Sequence, residues 1–145
     1  MKLTAEIFYP EPVIESDAKA ILRLYRRHYV GAEIKSEEIA ALFNDSTAVV
    51  ARDIRGQIVG IIFLAEVSML RHKFATLHDT MTLNWIKRDD LALAIFKTLI
   101  EKVIWYCKES GFGVVHAPFI ASPNDSWFPK HFKFKQEGLD FILPL

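Results

Sequence analysis

From Lys2 to Phe8 apolar and polar residues alternate weakly until Pro10 and Pro12 interrupt them, which predicts a first strand closed by a turn. At Glu15 the period changes. Ala18, Ile21, Leu22, Tyr25 and Tyr29 recur at helical spacing with Arg23, Arg26 and Arg27 opposite, so residues 16–29 read as an amphipathic helix ended by Gly31. A shorter helix follows from Ser36 as cap through Phe43, burying Ile39, Leu42 and Phe43. The chain then turns to β-branched residues. TAVVAR (47–52) and QIVGIIFLAEV (57–67) flank the turn-like DIRG (53–56), an antiparallel hairpin signal. After a mixed loop, SMLRHKF, comes a third strand, ATLHDTMTL (75–83). Strict alternation there puts Leu77, Asp79, Met81 and Leu83 on one face and Thr76, His78, Thr80 and Thr82 on the other. An acid on the more apolar face is the first residue that core packing does not ask for.

Asp89 and Asp90 open the longest helix, 89–109, where their charges suit the positive end of the helix dipole. Ala92, Phe96, Leu99, Val103 and Cys107 form its spine, Ile95, Ile100 and Ile104 widen it, and Gly111 caps it. GVVHAPF (113–119) follows as a short buried strand, so the segment 75–119 reads as a strand, helix, strand crossover with parallel outer strands. His116, after two valines on that strand, reads as a core histidine, with a place lining a crevice beside strand 75–83 as the alternative. SPNDSWFPKHF holds a short helix or turn, and FKFKQEGLDFILPL two β segments about Gly138. No linker or repeat interrupts residues 1–145, so the expectation is a single α/β domain.

Composition narrows the choice. At 145 residues, 51% apolar, the chain can bury its own core. Its 18 basic and 18 acidic side chains cancel, removing the basic field that a nucleic-acid partner usually needs. A lone cysteine, Cys107, allows no internal disulfide, and MKLTAEIFYP lacks an apolar leader, so a cytoplasmic location is expected. The longest apolar run, Ile58 to Ala65, is well short of the ~20 residues that cross a bilayer, and no membrane association is expected. Five histidines without ligand spacing argue against a metal centre. No GxSxG motif is present, and Cys107 lies on a buried helical stripe.

Two stretches then acquire a shared meaning. TLNWIKRDDLALAIFKTLI (82–100) joins a strand end, a loop and a helix; WFPKHFKFKQEG (127–138) joins an aromatic turn to the last hairpin. With the element order, they resemble the GNAT superfamily of acyl-CoA-dependent N-acyltransferases over nearly the whole chain. The resemblance implies a mixed, mostly antiparallel central sheet flanked by helices, with acetyl-CoA or another acyl-CoA as co-substrate. In the family an Arg or Gln, two residues, a Gly, one residue and a Gly or Ala wrap the pyrophosphate of coenzyme A. The corresponding run here is Lys87, Arg88, Asp89, Asp90, Leu91 and Ala92. Lys87, Arg88, Asp90 and Ala92 are thereby placed at the phosphates, backbone groups from Met81 to Leu83 along the pantetheine, and Asn124 and Phe128 beside the cofactor.

Acyl transfer to an amine also needs a proton acceptor. Asp79 is the first choice, through water, with Glu66 at the end of strand 57–67 and His78 as the others. Two departures from the family pattern fall on chemistry. Asp90 stands where the pattern has its central Gly, and its carboxylate competes for the N–H groups a phosphate would use. Pro129 stands where many members carry a tyrosine that protonates the leaving thiolate. The leading reading is an N-acetyltransferase acting on a small-molecule or peptide amine. A scaffold of this fold that has lost catalysis and binds or regulates is the alternative. A third reading is an assembly module forming a homodimer through the C-terminal strands, suggested by the apolar FILPL end.

Overall fold

A computed structural model describes residues 2–28, 33–69, 71–82, 89–118 and 126–145, with backbone alone at 28, 45, 69, 79–82 and 89. Its elements are β1 (Thr4–Phe8), α1 (Glu15–His28), α2 (Ser36–Asp45), β2 (Thr47–Arg52), β3 (Ile58–Met69), β4 (His72–Thr82), α3 (Asp89–Glu109), β5 (Val114–Pro118), α4 (Trp127–His131), β6 (Lys135–Glu137) and β7 (Asp140–Pro144). The seven strands form one sheet in the order β1-β2-β3-β4-β5-β7-β6. β4 and β5 pair in parallel, as a right-handed helical crossover requires, and the other described pairs are antiparallel. No described helix is long and apolar enough to cross a membrane.

The expected loop at 68–74 belongs largely to the sheet. Val67 pairs with Phe74, Ser68 with Lys73 and Met69 with His72, so β3 and β4 run on past the core as a ribbon with exposed polar residues. Polarity alone resembles a loop there, whereas the cross-strand partners hold it extended. α2 also begins differently. Lys35 is its N-cap without a side-chain cap bond, and Ser36 is already helical.

Alternation along the central strands feeds two cores. Val49, Ala51, Ile62, Leu64, Ala75, Leu77, Val115 and Ala117 face α3, whose Ile95, Phe96, Leu99 and Val103 have no exposed surface. Ala48, Val50, Ile61 and Phe63 face the other way, under Ile21, Leu24, Ile39 and Phe43 of α1 and α2. Each fully buried aromatic or aliphatic side chain contributes roughly 1.5–3 kcal/mol, so the sheet is held from both sides. α4 completes the α3 core. The Phe96 ring lies 5.2 Å from Trp127, 5.1 Å from Phe128 and 6.0 Å from Phe132, and Phe128 stacks on Phe141 at 5.6 Å.

Both ends of the sheet are tied down. At the β1 side, Arg52 donates to both carboxylate oxygens of Asp17 (3.0 and 2.9 Å), to Glu6 and to the Gly56 carbonyl (3.0 Å), joining α1, β1 and the β2–β3 turn. That turn needs Gly56, at φ 78°, and is held by Asp53 accepting from the N–H groups of Arg55 and Gln57. At the other side β7 is paired along both edges, and the Leu145 N–H donates to the Gly113 carbonyl at 2.9 Å. The apolar C-terminal strand is therefore flanked by β5 and β6, and the short β6 forms that edge of the sheet.

Candidate active site

The parallel ladder between β4 and β5 is short. It runs through Phe74↔Val114, Ala75↔Val115 and Thr76↔His116 and stops, while β4 continues to Thr82 and β5 to Pro118. Beyond Thr76↔His116 the parallel ladder ends, short of the C-terminal ends of both strands. The crevice outside the carboxyl ends of parallel strands is where open α/β sheets bind ligands.

A second irregularity lies on the same stretch of β4. His78 pairs with Phe63 and Met81 with Ile61, so two residues of β4, Asp79 and Thr80, stand against Ile62 alone on β3. This is a β-bulge between His78 and Met81, which removes one residue from the ladder and bends the strand near the end of its pairing with β5. It also corrects the strict alternation predicted for 75–83. By register Met81 shares a face with Ile61 and His78, not with Leu77, because the extra residue resets the phase.

Two of the described imidazoles, His78 and His116, stand near the end of the parallel ladder. His78 is half-buried and stacks on Phe63 with centroids 5.5 Å apart and planes 18° apart. His116, also half-buried, lies across the ladder from Thr76, its ring 5.0 Å from Phe74. Both share the sheet face that α1 and α2 cover in part. His116 is thus half-buried at the edge of that cover, between the core and the crevice readings of this strand.

The other candidates divide into three groups. Asp79 and Met81 lie at the bulge, with only their backbone described. Asp90 is exposed in the first turn of α3, and Ala92 is 5% exposed, turned into the core. Leu83, Lys87, Arg88 and Asn124 lie outside the described residues. Two assignments need correction. Phe128 is 6% exposed and its ring is occupied by Phe96, Phe134 and Phe141, so it builds the core instead of covering a ligand. Glu66 pairs with Ala75 at the closed end of the β4–β5 ladder, roughly 20 Å along the strand from Thr82. It accepts a 2.5 Å hydrogen bond from the Tyr106 hydroxyl.

That bond gives Glu66 a structural task, pinning the last third of α3 onto β3. Burial, and then the neighbouring Glu66 carboxylate, push the Tyr106 hydroxyl from 10.0 up to about 12, so it stays protonated and donating. The same two causes push the Cys107 thiol up to about 12, which leaves it inert. Nothing in the local sequence near Glu66 signals this pairing, because its partner is 40 residues away.

No protein-family model matches the sequence, and no curated protein matches it significantly. Solved structures match in fold. An N-acetyltransferase from Staphylococcus aureus Mu50 superposes with a TM-score of 0.70 at 16% identity, covering 97% of this chain and 98% of that one. A phosphinothricin acetyltransferase of the GNAT superfamily from Sinorhizobium meliloti, in complex with AcCoA, gives 0.70 at 19% identity over 98% and 89%. A GNAT family N-acetyltransferase from Escherichia coli, in complex with CoA, gives 0.63 at 18% identity over 99% and 83%. The chain has the GNAT fold.

Proposed function

We propose that the chain transfers an acetyl group from acetyl-CoA to a primary amine by direct attack of the amine on the thioester. The observation that carries this reading is the end of the β4–β5 ladder at Thr76↔His116, with a bulge in β4 beside it. Two of the fold's neighbours, in complex with CoA and AcCoA, support it. The β4–β5 ladder ends at Thr76↔His116, and in this reading the β4 backbone past it lies along an extended pantetheine as a strand would. Lys87 and Arg88 supply cations ahead of α3, and the small Ala92 keeps its first turn close to the sheet. When bound, coenzyme A supplies an acyl group already activated as a thioester. In this reading Asp79 takes the amine proton through water, with His78, the adjacent residue, as the other acceptor. Pro129 cannot donate a proton, so the departing thiolate is protonated by solvent, which a thiol pKa of about 8.5 permits near neutrality.

A second reading rests on a specific feature. α3 begins with Asp89 and Asp90, two acids at the helix end where a pyrophosphate would sit, and this favours a scaffold that has given up the coenzyme. Calorimetric titration with acetyl-CoA, with 3'-dephospho-CoA as control, separates the two. Micromolar binding that weakens on Lys87→Ala or Arg88→Ala, followed by acetylation in an amine screen, is the expected result. An absence of heat and of thermal shift at millimolar ligand would favour the scaffold.

A further inference from the structure

The cover over the sheet is uneven. On β5 and β7 the residues facing α3 and α4, Val115, Ala117, Phe141 and Leu143, are buried, whereas their alternates Val114, His116, Pro118, Asp140 and Ile142 are only half-buried. The core under α1 and α2 includes no residue of β5, β6 or β7. An accessible shelf therefore extends from the end of the β4–β5 ladder across to β7.

The register fixes what stands on this shelf. His116 is paired with Thr76 on one side and Ile142 on the other, and Asp140 is paired with Pro118 and Glu137. Strand geometry puts the Cα atoms of His116 and Asp140 roughly 8 Å apart on one face. Phe74, Val114, Pro118 and Ile142 give the shelf an apolar floor. Its described titratable groups are His72 and His78 from β4, His116 from β5, Asp140 from β7, and Lys135 and Glu137 from β6. A carboxylate and an imidazole acceptor on an apolar floor suit an ammonium attached to an apolar body.

We propose that this shelf is the acceptor site, and that it takes a small primary amine carrying an aromatic or branched apolar group. Asp140 attracts the ammonium, the His116 imidazole accepts a hydrogen bond from the nitrogen, and Phe74 and Ile142 receive the apolar body. This rests on the acetyltransferase reading for its meaning and names the substrate class of that site. His116 and Asp140 thereby act as specificity-determining residues, distinct from the proton acceptor at the bulge.

The test uses the full chain and 2-phenylethylamine as probe, with 2-phenylethanol as its uncharged counterpart and spermidine as charge without an apolar body. Binding is followed by NMR through the imidazole resonances of His116 and the amides of Phe74, Asp140 and Ile142. The expected result is a saturable shift of these signals by 2-phenylethylamine, with both controls about tenfold weaker. His116→Gln and Asp140→Asn, each checked for an unchanged melting temperature, should weaken the amine about tenfold. Should either variant fail to fold, the wild-type shift map decides alone. Shifts confined to other parts of the molecule, none at all, or equal binding of the alcohol would overturn the proposal. Where acetyl-CoA turns over, His116→Gln should raise KM for the amine with little change in kcat. A protein that ignores acetyl-CoA yet shows the expected map keeps the shelf and loses the transferase reading. One that acetylates amines with His116 unmoved keeps the transferase reading and loses the shelf.

Discussion

The two faces of the sheet are built from the same alternating strands but are finished differently. Against α3 and α4, side chains of β2, β3, β4, β5 and β7 join one buried core, in which Trp127, Phe128 and Phe132 pack on Phe96. The opposite face is sealed by α1 and α2 over β2, β3 and Phe8 of β1, and its described residues on β5 and β7 are half-buried. Stability is concentrated where packing is complete. Packing is less complete around His78, His116 and Asp140, the residues of the proposed site.

Four substitutions probe that contrast, in order of decreasing effect. Phe96→Ala, at the centre of the closed face, should lower stability by about 4 kcal/mol in urea unfolding, because three aromatic partners lose their contact and α4 cannot collapse into the cavity. A loss near 1 kcal/mol would mean that the closed face is far looser than its burial indicates. Arg52→Ala should cost about 2 kcal/mol, since it leaves the Asp17 carboxylate, 12% exposed, without its two hydrogen bonds where α1 meets the sheet.

Tyr106→Phe comes next, at about 1 kcal/mol near neutral pH from the lost bond to Glu66. Its pH dependence is more telling. Tyr106 is raised from 10.0 and Cys107 from 9.0, each to about 12, so the folded state keeps both protons longer than the unfolded chain does. Their contribution is complete below about pH 9 and is lost as pH rises toward 12. The phenylalanine variant should flatten that loss between pH 10 and 12, leaving the part due to Cys107, and thermal melts across the range would measure it. The smallest effect belongs to Asp90→Gly. Removing one acid from the start of α3 should tighten acetyl-CoA about fivefold by calorimetry while costing under about 1 kcal/mol of stability. Unchanged affinity would place the phosphates elsewhere.

Much of this organisation was legible in the chain. Helical spacing predicted α1 and α3 to within a residue at each end, the β-branched runs predicted the β2–β3 hairpin, and the apolar helix between two strands predicted the parallel crossover. The candidate site depends more on distant partners. His78 and Asp79 were drawn to attention by their strand, but Glu66 and Phe128 were misplaced, because a carboxylate at a strand end and an aromatic in a proline-bounded loop look the same whether they meet a ligand or the core. The partners that decided them, Tyr106 and Phe96, lie 40 and 32 residues away.

Residue types and their spacing determined the elements, because a helix or a strand is specified by neighbours within a few positions and by which side of it is apolar. Tertiary structure alone decided where the β4–β5 ladder ends, that a bulge resets the phase of β4, and that the alternate residues of β5 and β7 remain half-buried. Those features depend on how many residues each strand sets against its partner and on what the helices fail to cover, quantities that exist only once distant segments share a sheet.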